Sequence, residues 1–231
     1  ASLADSVKAG LVSEATLDDK VTRILRLALN CRLADNSRNK GSMNSPENSQ
    51  LAYDVASEAI VLLKNDENTL PLDETKVEKL AVIGLMADMT NAKGGFTAGV
   101  KSRYEITPLA GIRSYLGKDY PLKFQPGYEE DFIVQDTGGY RPYRYPNPLP
   151  NDSLLNEAVK LAAQVDQVLL FVGNPRSVET EATDRESLKL PFGQDALIEA
   201  VAKVNPNMII IVVAGAATDL RVAEENTPAL I

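Results

Sequence analysis

Histidine and tryptophan are missing altogether from these 231 residues, and cysteine occurs once. Without histidine there is no Ser-His-Asp or Cys-His nucleophile system. A histidine-ligated zinc site is excluded too, and one cysteine cannot replace it. Neither a metal nor a cofactor is expected, and any chemistry falls to carboxylates, Lys, Arg, Tyr or Ser. With no tryptophan, a stacking platform must be built from Phe or Tyr. Cys31 can form no internal disulfide. It stands between Leu29 and Leu33 at the end of an apolar helical pattern, which reads as a small core residue rather than a reactive thiol. No apolar run approaches the ~18 residues of a membrane span, so no membrane partner is expected. Positive charge is scarce as well: 24 Lys and Arg stand against 32 Asp and Glu, a net charge of −8. With no basic run to compensate, nucleic acid is not an expected partner.

Hydrophobic periodicity organises what is there. Ser13 can cap a helix whose stripe is Leu17, Val21, Ile24, Leu25 and Leu29. The following "ADNSRNKGSMNSPENS" has almost no apolar content and reads as a linker. Residues 1–34, 35–48 and 49–231 are therefore expected as a helical segment, a linker and a main domain. In the last, Gln50–Leu63 reads as helical. "KLAVIG" is a continuous apolar run suited to a strand buried on both faces. Thr107 caps a helix through Leu116, and "YPLKFQPG" is a more polar strand, nearer an edge. Tyr128–Pro150 shows no period and reads as an irregular excursion. Ser153–Ala163 is helical, "DQVLLFVG" is a strand, "PFGQDALIEAVAKVN" is a helix entered through Pro191, and "NMIIIVVAG" is a strand. "TPALI" begins a fifth. This alternation predicts an α/β fold: a mostly parallel sheet with helices on both faces. Ligands of such sheets sit beyond the carboxyl ends of the strands. The loops after Gly84, Gly173 and Gly215 share that edge.

Three segments stand out. After the third strand comes "NPRSVETEATDRESLKLP", with Glu179, Glu181, Asp184, Arg185 and Glu186 within a few residues. It reads either as a site for a general acid/base carboxylate or as a solvated acidic loop shaped by a carboxylate–Arg pair. After the first strand, "LMADMTNAKGGFTAGV" has glycines that allow close backbone approach to a ligand. Their spacing matches neither a P-loop nor a dinucleotide fingerprint. Phe96, beside Thr97, either stacks on a ligand ring or tucks into the domain. The cluster Tyr140, Arg141, Tyr143, Arg144 and Tyr145 reads as a stacking surface or as packing against a neighbouring domain.

In order along the chain, these segments resemble family 3 glycoside hydrolases of the β-glucosidase and β-xylosidase kind. "VKAGLVSEATLDDKVTRILRLALNCRL" is similar to the closing helices of that family's N-terminal (β/α)₈ barrel. "AYDVASEAIVLLKNDENTLPL" is similar to its entry into the second domain. "LAVIGLMAD", "GGFTAG" and "EITPLAGI" resemble its first strand and glycine-rich loop. "ETEATDRESLKLPFGQDALIEAVAKVNP" and "IIIVVAGAATDL" resemble its most characteristic stretch. The resemblance implies an α/β sandwich, 49–231, preceded by barrel helices in 1–34. It implies a retaining exo-acting β-glycosidase that releases terminal β-linked glucose or xylose from an oligosaccharide or β-glycoside. A barrel aspartate is the nucleophile in that family and a second-domain glutamate the acid/base. That glutamate maps to Glu181, with Glu179 in reserve, because "ETEATDR" stands where the family has "ETEGxDR". Ala182 replaces the family's glycine. Asp184 and Arg185 match its loop-shaping Asp-Arg pair. Phe96 and Thr97, in the glycine-rich loop on the ligand-binding edge of the sheet, are expected to bind substrate. The nucleophile and the rest of the barrel lie outside these residues, so the barrel is the implied partner, and the chain reads as an enzyme fragment, inactive alone. The alternative is a non-catalytic α/β binding or interaction domain.

Overall fold

A computed structural model describes residues 2–231 apart from 34, 36, 38–40, 92–98, 137, 139–142, 182 and 183. The chain divides into two compact units, Ala1–Asn48 and Ser49–Ile231. In the first, α1 spans Leu3–Lys8 and α2 spans Glu14–Asn30. Both begin on a serine that satisfies a free N-terminal N–H: Ser2 accepts from Asp5, and Ser13 accepts from Thr16. Val21, Ile24, Leu25 and Leu29, most of the α2 stripe, are exposed. Cys31, expected in a core, is the exposed C-cap of α2.

A third helix, α3, runs over Pro46–Ala59. The sequence pattern carried it to Leu63, but the last four residues leave the helix. Leu63 N–H donates to Leu230 O, and β1, Lys64–Asn65, pairs antiparallel with the strand that holds Leu230. Ladder pairing wins there over the helical spacing.

The second unit then alternates. β2 is Leu80–Ile83, α4 Pro108–Leu116, and β3 Leu122–Gln125. A two-stranded ribbon follows, β4 Phe132–Gln135 and β5 Tyr143–Pro146. Next come α5 Asp152–Ala162, β6 Gln167–Gly173, α6 Gln194–Ala202, β7 Met208–Val213, α7 Arg221–Asn226 and β8 Ala229–Leu230. The main sheet has the order β1-β8-β7-β6-β2-β3, parallel throughout except at β1. The parallel α/β sheet read from the sequence is therefore present, and the polar strand β3 is at its edge as expected. All four residues of β2 are buried and all of β6 except Leu169, which is the burial of strands covered on both faces.

Two expectations are corrected. The excursion Tyr128–Pro150 contains the β4–β5 ribbon, in register Phe132↔Pro146, Ile133↔Tyr145, Val134↔Arg144 and Gln135↔Tyr143. The helix expected to enter at Pro191 begins three residues later. Phe192 and Gly193 both take left-handed backbone, φ 59° and 69°. This turn buries Phe192, whose ring meets Phe132 edge-on at 5.2 Å. A Cβ on Gly193 would lie 2.5 Å from Pro150 N.

The strand order has a consequence for function. From β2 the chain moves one way to β3, then returns past β2 to β6, β7 and β8. The reversal falls between β2 and β6, and ligand crevices of open α/β sheets form at such a switch, outside the carboxyl ends. The loops that leave β2 and β6 flank it.

Candidate functional site

The loop between β6 and α6 is laced to the loop after β7. Asn174 Nδ2 donates to Thr218 Oγ1 at 2.9 Å. Gly215 N–H donates to Glu179 Oε2 at 2.9 Å. Arg185 Nη2 donates to Ala217 O at 2.6 Å, and Asp219 N–H to Leu188 O at 2.8 Å. Three of these ties use side chains of the acidic loop, two of them charged, so its crowded charges help give it shape. Asp219 forms a fork with Arg221, whose guanidinium holds its carboxyl down to about 2.

The candidate residues separate clearly. Glu179 is half-buried and held at one oxygen; its Oε1 is buried with no hydrogen-bond partner among the described residues. Glu181 is exposed, two residues further along a turn. Asp184 is exposed, and Arg185 is half-buried with its Nη1 likewise buried and unmatched among the described residues. Glu179 and Arg185 are thus brought together on the Gly215–Ala217 segment. Phe96 and Thr97 lie outside the described residues, as do Tyr140, Arg141 and the side chain of Tyr143. Among the described residues no cluster of His, Cys, Asp or Glu is arranged to hold a metal.

Two supports escaped the sequence reading. Tyr128 is buried, its hydroxyl accepting from Met86 N–H at 3.3 Å, and burial pushes its phenol up. It ties the turn after β2 to the segment that leads into the ribbon. The other is a cleft of about 530 Å³ between the ribbon and the β6–α6 region. Phe132, Arg144 and Pro146 line one side, and Asp195 and Glu199 of α6 line another. Arg144 stands in the tyrosine–arginine cluster noted in the sequence and Asp195 at an ordinary helix start, and no spacing marked that both line one cleft.

A sequence model of the glycosyl hydrolase family 3 C-terminal domain matches residues 60–231. The chain belongs to glycosyl hydrolase family 3. It is 33% identical over 225 residues to the beta-glucosidase BoGH3A of Bacteroides ovatus, covering 93% of this chain and 28% of that protein. It is 30% identical over 230 residues to beta-xylosidase/alpha-L-arabinofuranosidase 1 of Medicago sativa subsp. varia, covering 96% of this chain and 27% of that protein. Among solved structures, the family 3 beta-glucosidase of Bifidobacterium adolescentis superposes with a TM-score of 0.76 at 26% identity, over 97% of this chain and 30% of that one. The family 3 chain thus spans somewhat over a quarter of the length of the curated relatives it matches.

Proposed function

We propose that this chain supplies the acid/base carboxylate of a retaining exo-acting β-glycosidase, and that Glu181 is that carboxylate. The substrates are oligosaccharides or β-glycosides with terminal β-linked glucose or xylose. The observation that carries the reading is the lacing of the β6–α6 loop. Glu179 is half-buried and accepts from Gly215 N–H, and Glu181, two residues on, is the more exposed of the two, in a loop fixed at four points. Hence Glu181 is presented and Glu179 positions the loop, helped by Arg185 and by Asp184 beside it. Residues 1–34 are the last helices of a (β/α)₈ barrel, 35–48 the linker, and 49–231 the α/β sandwich. The nucleophile comes from that barrel. Phe96 and Thr97 contact the substrate on the leaving-group side.

The chemistry separates acid/base from structural roles. In the first half-reaction the acid protonates the departing oxygen; in the second the same group, now a base, activates water. In the enzyme that also carries the barrel, Glu181→Gln should lower kcat/KM for alkyl or sugar leaving groups by about 10² to 10⁴. Dinitrophenyl glycosides scarcely need the proton and should lose far less. Azide needs no base, so it should restore turnover and give a β-glycosyl azide. Glu179→Gln should lower all substrates together, without azide rescue. The reverse outcome would move the acid/base to Glu179, and rescue in neither variant would remove it from this loop.

A further inference from the structure

The antiparallel register puts Phe132, Val134, Arg144 and Pro146 on one face of the β4–β5 ribbon. That face is braced twice: the Phe132 ring meets Phe192, and the Arg144 guanidinium lies 4.5 Å over the Phe132 ring. Phe132, Arg144 and Pro146 line the cleft, and so does Asp195 in the first turn of α6. The Asp195 Oδ1 atom is buried and accepts no hydrogen bond from any described residue. Burial pushes its carboxyl up, Lys189 pulls it down, and Asp219 and Glu199 push it up further. An acceptor withdrawn from water and left unmatched is a place for a ligand donor.

The rest of the lining narrows that ligand. Four carboxylates and three cationic side chains surround the cleft, so neither a strong anion nor a strong cation is selected. Arg144 already covers the Phe132 ring, which leaves no open aromatic cage for an ammonium group. The volume, about 530 Å³, lies in the range of small-molecule sites. What remains is a neutral ring with donors and acceptors around its edge and an apolar face. We propose that this cleft binds a neutral pyranose ring. One hydroxyl donates to Asp195 Oδ1, a second accepts from Arg144, and the C–H face of the ring lies against Pro146. The site goes beyond the acid/base reading and does not rest on it. Ser177 and Val178 line the cleft, while Glu179, next in the chain, turns to Gly215.

The test needs no turnover, so it stands apart from the fate of Glu181. The 231-residue chain, labelled with ¹⁵N, is titrated with cellobiose and with xylobiose. Saturable amide shifts are expected at Gly193–Ala196 and Arg144–Tyr145, with millimolar dissociation constants. Asp195→Ala should weaken binding roughly tenfold or more, as loss of a hydrogen bond to a charged group does. Asp195→Asn, which keeps the side-chain shape, should weaken it in the same direction and serves if the alanine variant does not fold. Absence of saturable shifts at these positions with both sugars overturns the proposal. So does binding that neither variant weakens. Choline and inorganic sulfate are the charged controls, and a stronger saturable response to either one would overturn the neutral-ligand assignment.

Discussion

Gln194 is fully buried, yet both polar atoms of its amide are engaged by one residue. Gly173 N–H donates to Gln194 Oε1 at 2.8 Å, and Gln194 Nε2 donates back to Gly173 O at 2.9 Å. β2 pairs with β6 only as far as Leu170, while β7 continues to Gly173. The amide therefore closes the side of β6 that β2 has left, at the root of the candidate loop. Gln194→Leu conserves volume and leaves two buried backbone groups unmatched. It should cost about 2–4 kcal/mol, read as a lower urea midpoint with an unchanged slope. Residues of this kind are poorly legible in sequence. The acidic loop announced itself by composition, and Glu179, Glu181, Asp184 and Arg185 could be named from it. Their partners Gly215 N–H and Ala217 O are backbone groups, which every residue carries and no spacing marks. Asp195 was hidden for a related reason: an acidic residue in the first turn of a helix is ordinary there, and only the fold sets it opposite the ribbon.

Elements were legible where one period dominates. β2, β6 and β7 are unbroken apolar runs, and α2, α4 and α5 begin on Ser13, Thr107 and Asn151, whose side chains accept first-turn N–H groups. The ribbon was not legible, because each strand has only four residues, Phe-Ile-Val-Gln in β4 and Tyr-Arg-Tyr-Pro in β5. Such short strands give too few repeats for a period of two to stand out. The ends of strands hold a sharper signal in glycine. Gly84 follows β2 and Gly173 ends β6, with φ 110° and 143°. A Cβ on Gly84 would lie 1.9 Å from Phe171 O, and one on Gly173 would lie 1.9 Å from Val213 O. Both contacts are with backbone of the neighbouring strand, which cannot swing aside as a side chain can. Gly173→Ala must either part β6 from β7 or drag the loop that carries Glu179. The expected loss is about 3 kcal/mol or more, and circular dichroism melting of the variant checks it. A thermal midpoint within a degree or so of the parent would mean that the strand ends yield more easily than this packing allows.

The whole molecule sets the last question, which is what this chain does by itself. Its sheet, its switch point between β2 and β6, and its laced loop form one half of a cleft in the proposed enzyme. Retaining hydrolysis requires two carboxyl groups ~5 Å apart on opposite sides of the scissile bond, one as acid/base and one as nucleophile. Glu181 fills the first role in our reading and the barrel the second. The carboxylates nearest to it in sequence sit on the same loop, so they approach a bound glycoside from the same side. The matched relatives are also several times longer, since this chain covers 28% and 27% of two of them. The purified 231-residue chain should therefore fold and yet fail to hydrolyse aryl β-glucosides or β-xylosides. A 2-fluoroglycoside, which traps a glycosyl-enzyme, should leave its mass unchanged. The polypeptide that includes the barrel should both turn over and trap, with the label outside residues 49–231. Turnover by the short chain that Glu181→Gln abolishes would place both carboxylates on this domain. Label recovered on a residue of 174–190 would identify the second one and overturn the division of labour between the two domains.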